Sequence, residues 1–254
     1  MANPYQAPQY SPQQVPAPSS GYPAPLPVIQ PYSRIGPVAY LFIGIVVFQL
    51  ILAMAAIGAS VLTLDYLHRA STGFRSEQEA NFVDFLEFAI SLLRLPIFFV
   101  AIIVYLVWFY RAYRNLPSLR AVEVYTSPGC AVGFHFIPIA NLYFVYRGMR
   151  EIWLGSHPKD LHALRSPMIK HLMGATTVGF WWGLHLASGF LGTFSVRLVE
   201  MGARQQNISI VKNAVLISIG SDLLHITAGL LLISIVYFST LHQDERFELI
   251  RRLG

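Results

Sequence analysis

From Val38 to Leu64 the chain carries no charged side chain, and three more apolar stretches follow: Leu86 to Tyr110, Leu172 to Val196 and Ala214 to Tyr237. At about 1.5 Å of rise per residue, each is long enough as a helix to cross roughly 30 Å of hydrocarbon. Within lipid the backbone must satisfy its own hydrogen bonds, which restricts a spanning segment to a helix or a closed barrel. The period-two alternation of barrel strands is missing, so all four stretches read as helices. With 54% hydrophobic residues, 12% charged residues and a mean hydropathy of +0.50, the chain has more apolar surface than a soluble domain of this size can bury. The expected fold is all-α, an integral membrane four-helix bundle over residues 35–254.

A fifth apolar segment, Ala131 to Tyr146, is shorter and contains Gly133, Pro138 and Asn141. Lysine and arginine decide its status, because cytoplasmic loops hold the excess of both. With four crossings and both termini cytoplasmic, twelve of the eighteen Lys and Arg residues fall inside and five outside, with Arg94 in the membrane. If Ala131 to Tyr146 also crossed, the count would become seven inside and ten outside. Four spans are therefore expected. The segment 131–154 is then re-entrant or interfacial, broken near Pro138 and continued by an amphipathic helix.

Residues 1–34 are a different polymer: no charge precedes Arg34, and Pro, Gln, Tyr, Ser and Ala dominate. So little apolar surface cannot offset the ordering entropy, and a disordered cytoplasmic tail is expected. The basic start and apolar core of a signal peptide are absent. No two of its prolines stand three apart, which removes the PxxP docking pattern. At the other end, Asp244 to Leu253 is expected to carry the last helix into the cytoplasm, with Glu248 and Arg252 spaced to pair.

The second span holds Arg94, the third His185, and the fourth Asp222 and His225. Ionisable groups at bilayer depth are costly unless partnered, and they face a bundle interior or a wet cavity. Spans two and four both run inward, and Arg94 and Asp222 each lie eight residues, about 12 Å, from the outer end. A salt bridge between them is geometrically available. His185 and His225 share a depth near the midplane and with Asp222 form a candidate proton relay or metal site. The alternative is that each histidine hydrogen-bonds a neighbouring helix and does nothing more. Gly179 and Gly183, continued by Ala187, mark a face that another helix can approach closely, so the third span is expected to be central or to make a contact between copies. Trp181 and Trp182 lie deep, and at least one should pack inside.

Trp108-Phe-Tyr-Arg-Ala-Tyr-Arg-Asn-Leu116, then Ser127-Pro-Gly-Cys-Ala-Val-Gly-Phe-His-Phe-Ile-Pro-Ile-Ala-Asn-Leu142, then Met149-Arg-Glu-Ile-Trp153, resembles the motif block of a bacterial membrane family, domain of unknown function 4328, over about residues 90–200. The resemblance implies a multi-pass protein of the bacterial plasma membrane and supplies no catalytic residue. It departs from the family pattern at Cys130 and His135, where tryptophan is usual, and at Phe144-Val145, where an Arg-Pro pair is usual. In physical terms the block offers a cationic helix end at Arg111 and Arg114, a turn at Pro128-Gly129, and Arg147 one turn from Glu151. Asn141, beside the break, caps backbone groups or lines a polar cavity. Arg111, Arg114, Asn141, Arg147 and Glu151 form a candidate cytoplasmic-face groove for a lipid headgroup or a solute. Cys130 is the single cysteine, which excludes an internal disulfide. Asn207-Ile-Ser matches a glycosylation acceptor.

No HExxH, GxSxG, P-loop or dinucleotide fingerprint appears, so an enzyme is not expected, and no cofactor or metal is assigned. The net charge of +5 is spread over loops that flank the spans, which suits anionic lipid headgroups better than nucleic acid. Two classes remain. A membrane scaffold or envelope-associated interaction protein, gathering partners through its tail, is favoured because no inverted repeat is present. The alternative is a small ion, proton or solute transporter or channel using the Arg94, Asp222, His225 and His185 layer. A homo-oligomer through Gly179 and Gly183 is compatible with either. A dry, fully paired layer would mean packing, and a hydrated one connected to either face would mean transport.

Overall fold

A computed structural model describes residues 31–74, 76–121, 124–157 and 167–253, with residues 167–175 described in backbone only. The tail expected over residues 1–34 therefore lies outside the described residues as far as position 30. The described chain is α-helical: α1 (Gly36–Ser71), α2 (Glu77–Asn115), α3 (Pro128–Gly133), a 3-10 turn at Phe134–Phe136, α4 (Pro138–Ser156), α5 (Pro167–Arg204) and α6 (Ile208–Leu253). Three of these, α1, α2 and α6, are long and apolar enough to cross a membrane.

Local chemistry explains where the helices start. Pro37 sits in the first turn of α1, where a missing N–H costs nothing. Ser76 accepts a hydrogen bond from the Glu79 N–H at 3.3 Å, and Glu77 and Glu79 place negative charge at the N-terminal end of the α2 dipole. The Asn207 side chain accepts from the N–H groups of Ser209 and Ile210 at 3.0 and 3.3 Å, so the residue flagged as a glycosylation acceptor is the cap of α6. Between α3 and α4 the chain straightens at Ile137 (φ −102°, ψ 111°), and Pro138 opens α4, so the break falls where the proline predicts it. The N-terminus of α4 has no side-chain cap. Asn141 therefore does not cap it; only its backbone N–H bonds, to the Ile137 carbonyl at 2.7 Å.

The long helices pack in a row, α2 against α1, α1 against α6, and α6 against α5. The expectation that the third span is central fails: α6 occupies that place, and α5 lies at the edge against α6 and α4. Among the described residues α2 and α5 share no packed interface, so the row curls around a gap instead of closing into a ring. The α3–α4 segment fills one end of that gap and touches α2, while α4 also reaches α5 and α6.

Glycine reports where backbones come close, although not at the pair read from the sequence. A Cβ on Gly183 would meet nothing within 4 Å, and one on Gly179 would lie 3.9 Å from Tyr146. The close approaches include Gly229 to Leu50, between α6 and α1, and Gly148 to Phe109, between α4 and α2, where a Cβ would stand 2.6 and 2.7 Å from the facing side chain, and Gly202 of α5 to Val211 of α6, also at 2.7 Å. Phe109 is fully buried and cannot swing away. Gly148→Ala is therefore expected to destabilise the protein by about 1–3 kcal/mol through overpacking. Gly183→Ala should be neutral or slightly stabilising, because alanine favours a helix by about 1 kcal/mol over glycine. Unfolding titrations of both variants in the same lipid discs check the contrast; equal effects would mean the α2–α4 contact is looser than it looks.

At the end where α1 begins and α6 stops, buried polar side chains tie the elements together. Gln243 donates to the Ala112 carbonyl and to Ser156 Oγ, both at 3.1 Å, and accepts from Asn115 Nδ2 at 3.0 Å. Asn115 in turn holds the Ser33 backbone at both its N–H and its carbonyl. Tyr32 stacks on Phe247 at 4.3 Å and donates to Asp244 at 2.6 Å. Burial, then that bond, pushes the Tyr32 phenol above its usual range, so it stays a donor at neutral pH. Tyr32, within the stretch read as the tail, thus packs against the end of α6. Arg246 donates to the carbonyls of Leu119, His157 and Arg120 at 2.7, 2.9 and 3.2 Å. Near α6's end Glu248 pairs with Arg251 at 2.6 Å rather than with Arg252.

Candidate functional site

Arg94 on α2 and Asp222 on α6 meet across the gap, with Nη2 donating to Oδ1 at 2.7 Å. The bond spans helices that are not neighbours in the packed row. Pro96, two residues beyond Arg94, carries no N–H and leaves the Leu92 carbonyl without its helical donor. The side chains of Arg94 and Asp222 remain 35% and 12% exposed, so the guanidinium is the partner that faces the gap.

Both histidines of the layer line the same space. A cavity of about 810 Å³ is walled by Ser91, Arg94, His185, Ser188, Asp222 and His225, among others. His185 stacks on the rings of Trp182 and Trp181, at 5.4 and 6.3 Å, which orients its imidazole. Trp181 is buried, and Trp182 Nε1 donates to the Leu142 carbonyl at 2.8 Å, tying α5 to α4. The Ser221 hydroxyl donates to the Ser188 carbonyl at 2.8 Å and closes the α5–α6 seam beside Asp222. Among the described residues no group of three or more His, Cys, Asp or Glu side chains gathers as a metal site would require. The arrangement offers charge, hydrogen-bond donors and volume at one depth.

A second, mostly apolar cavity of about 400 Å³ lies beneath the first and reaches Phe136, Asn141 and Val145 on the α3–α4 segment. Asn141 therefore belongs with the midplane site and not with the cytoplasmic-face group. Gln49 lines both cavities and was missed. A signal existed, because it is the one amide in the otherwise apolar stretch from Val38 to Leu64. His135 also lines the lower cavity. Its Nδ1 faces the carbonyls of Ala131 and Val132 at 3.1 and 3.2 Å and must carry the proton, since carbonyls only accept. Burial lowers its pKa below the ordinary imidazole range. The unfolded chain takes up this proton near pH 6.5, the folded chain only at lower pH, so this contribution to stability is constant above that point and falls as the pH drops below it. Unfolding free energies of wild type and His135→Gln across pH 5–8 should show a smaller acid slope in the variant, and identical slopes would refute the assignment.

The five residues of the cytoplasmic-face group do not gather. Arg147 Nε donates to Glu151 at 3.0 Å, and its guanidinium lies 4.2 Å over the Tyr125 ring. Tyr113 donates a short hydrogen bond to the same buried carboxylate, and the cluster borders a cavity of about 160 Å³. Arg111 turns away to the Arg34 carbonyl at 3.4 Å, and neither it nor Arg114 lines this cavity. Helical spacing could pair Arg147 with Glu151 but could not bring in Tyr113 and Tyr125 from a different helix and a loop.

The chain is thus a helical protein with three membrane-length apolar helices and an ion-paired cavity at their mid-height. It belongs to the family described as domain of unknown function (DUF4328), whose model matches residues 71–238 and so covers α2 through most of α6. No curated protein and no solved structure matches it.

Proposed function

We propose that the chain is a multi-pass protein of the bacterial plasma membrane, crossing four times with both ends cytoplasmic, and that it binds a small ligand or ion in the Arg94–Asp222 cavity as part of a transport path. In this reading α5 is the fourth crossing and the α3–α4 segment is re-entrant, entering from the cytoplasmic side. The distribution of Lys and Arg supports that orientation. One observation carries the function: the intramembrane charges border a cavity of about 810 Å³ instead of a packed interior. A layer kept only for packing would be dry and closed, whereas this one has room for a ligand and a guanidinium facing it. Flux of protons or small ions into liposomes reconstituted with the full chain tests it. Asp222→Asn is expected to reduce the flux at least tenfold, and flux equal to that of empty liposomes in the wild type would refute the reading.

The scaffold reading is second, supported by the Tyr32 contacts with Asp244 and Phe247, which set the residues just before α1 beside the C-terminal helix. In that reading the residues just before α1 and the end of α6 form one cytoplasmic docking face.

A further inference from the structure

The polar cavity and the apolar one beneath it meet at Gln49, Phe98, His185 and His225, which line both. We propose that together they form one site for a single-chain amphiphile with an oxyanion head, a carboxylate or a phosphate, which enters sideways from the lipid. The proposal rests on the ligand reading above and names the occupant.

Charge divides the space along its length: its ion pair, Arg94 with Asp222, lies in the upper part. The upper part holds Ser91, Arg94, Asp222 and His225, while the lower part is walled by Phe42, Val46, Leu50, Ala101 and Leu232. From Asp222 to Leu232 on α6 is about 15 Å at the helical rise, which is room for an extended alkyl tail. The two volumes, about 810 and 400 Å³, lie in the range of small-ligand sites, roughly 300–1,000 Å³.

The charge of the head follows from which atoms are free. Arg94 spends Nη2 on Asp222, and among the described residues its other N–H groups meet no acceptor. A guanidinium carries five N–H donors and no acceptor. With the guanidinium the more exposed member of the pair, its remaining N–H groups unspent, and two imidazoles lining the same space, the upper part offers donors. An oxyanion satisfies them with charge-assisted bonds. An ammonium head would find, among the described residues, only the Asp222 carboxylate, whose charge Arg94 already meets.

The route of entry follows from the mouth. It lies where α2 and α5 fail to pack, and its rim is Leu95, Phe98 and Phe190, all exposed at mid-helix. In a bilayer that rim faces hydrocarbon, so a tail can slide in while a water-soluble solute would have to cross an apolar lip. The α3–α4 segment closes the lower end, so the tail points toward it and the head toward the other face, the orientation of a lipid in the outer leaflet.

Quenching of Trp181 and Trp182, which line the lower cavity, by mid-chain brominated hexadecanoate tests the site in phosphatidylcholine nanodiscs holding the full chain. Saturable quenching is expected, with competition by hexadecanoate and by lysophosphatidate at least tenfold stronger than by hexadecanol or hexadecyltrimethylammonium. Whichever anion competes better identifies the natural head as carboxylate or phosphate. The double variant R94Q/D222N, which leaves no charge unpaired, should weaken hexadecanoate at least tenfold and leave hexadecanol unchanged. Ala101→Leu, which intrudes on the tail space away from the charges, should weaken both. Equal binding of hexadecanoate and hexadecanol, an unaffected double variant, or competition by acetate or inorganic phosphate alone at the same concentration would overturn the proposal. Asp222-dependent flux combined with any of those results would defeat the amphiphile and leave the transport reading intact; absence of flux as well would defeat both.

Discussion

Replacing Arg246 by methionine is expected to lower the unfolding free energy by about 3–5 kcal/mol, among the largest effects of any single substitution in this chain. The side chain is buried and bonds three carbonyls from two separate connections, those of Leu119 and Arg120 after α2 and that of His157 after α4. Hydrogen bonds from a charged donor contribute about 1.5–3 kcal/mol each, and an orphaned buried acceptor costs about 1–3 kcal/mol, so even a strongly non-additive sum is large. The Arg120 backbone adds to it, because its φ of 53° lies in the left-handed region that non-glycine residues rarely adopt. That turn is held by bonds from Arg120 N–H to Pro117, from Ala121 N–H to Leu116, and from Arg246. Arg246→Lys keeps the charge but loses the planar fork, so it should recover only part of the stability. Denaturant titrations in lipid discs give both values. A methionine variant within about 0.5 kcal/mol of wild type, the usual range for an uninvolved surface position, would mean the clamp contributes nothing.

For the Arg94–Asp222 pair the expected result is a strongly non-additive cycle. Arg94→Gln leaves a buried carboxylate without its charge partner and should cost about 3 kcal/mol, the scale of an isolated charge at bilayer depth. Asp222→Asn leaves the more exposed guanidinium, which can reorient into the open space, so it should cost less. The double variant R94Q/D222N removes both charges, keeps hydrogen-bonding groups of similar size, and should fall within about 1 kcal/mol of wild type. The same three proteins, measured by unfolding in lipid discs, give the coupling. Additive costs would mean that the two groups stabilise the fold independently and that their approach to 2.7 Å is incidental.

The cytoplasmic-face group shows how far spacing along a helix can be trusted. Arg147 and Glu151 are four residues apart on α4, a separation that helical geometry turns into a contact, and they pair at 3.0 Å. Arg111, Arg114 and Asn141 were joined to them only by nearness in the chain, and the structure sends each elsewhere. Tyr113 and Tyr125 complete the cluster from outside α4. The same limit applies to the glycines: small-residue spacing marks where a helix can be approached, but within this fold close approaches fall at Gly229, Gly148 and Gly202 and not at Gly179 or Gly183.

Quantities that run along the chain were therefore open to the sequence by itself. The long apolar helices, the break at Pro138, and the matching depth of Arg94 and Asp222 all follow from hydropathy and a fixed rise per residue. The packing order, with α6 inside and α5 at the edge, the gap between α2 and α5, and the bonds from Gln243, Arg246 and Tyr32 were decided only in three dimensions. The reason is rotational. A helix that is apolar around most of its circumference carries no stripe to say which side turns inward, so depth is legible residue by residue, while the facing neighbour is chosen by the fit of side chains such as Leu50 against Gly229.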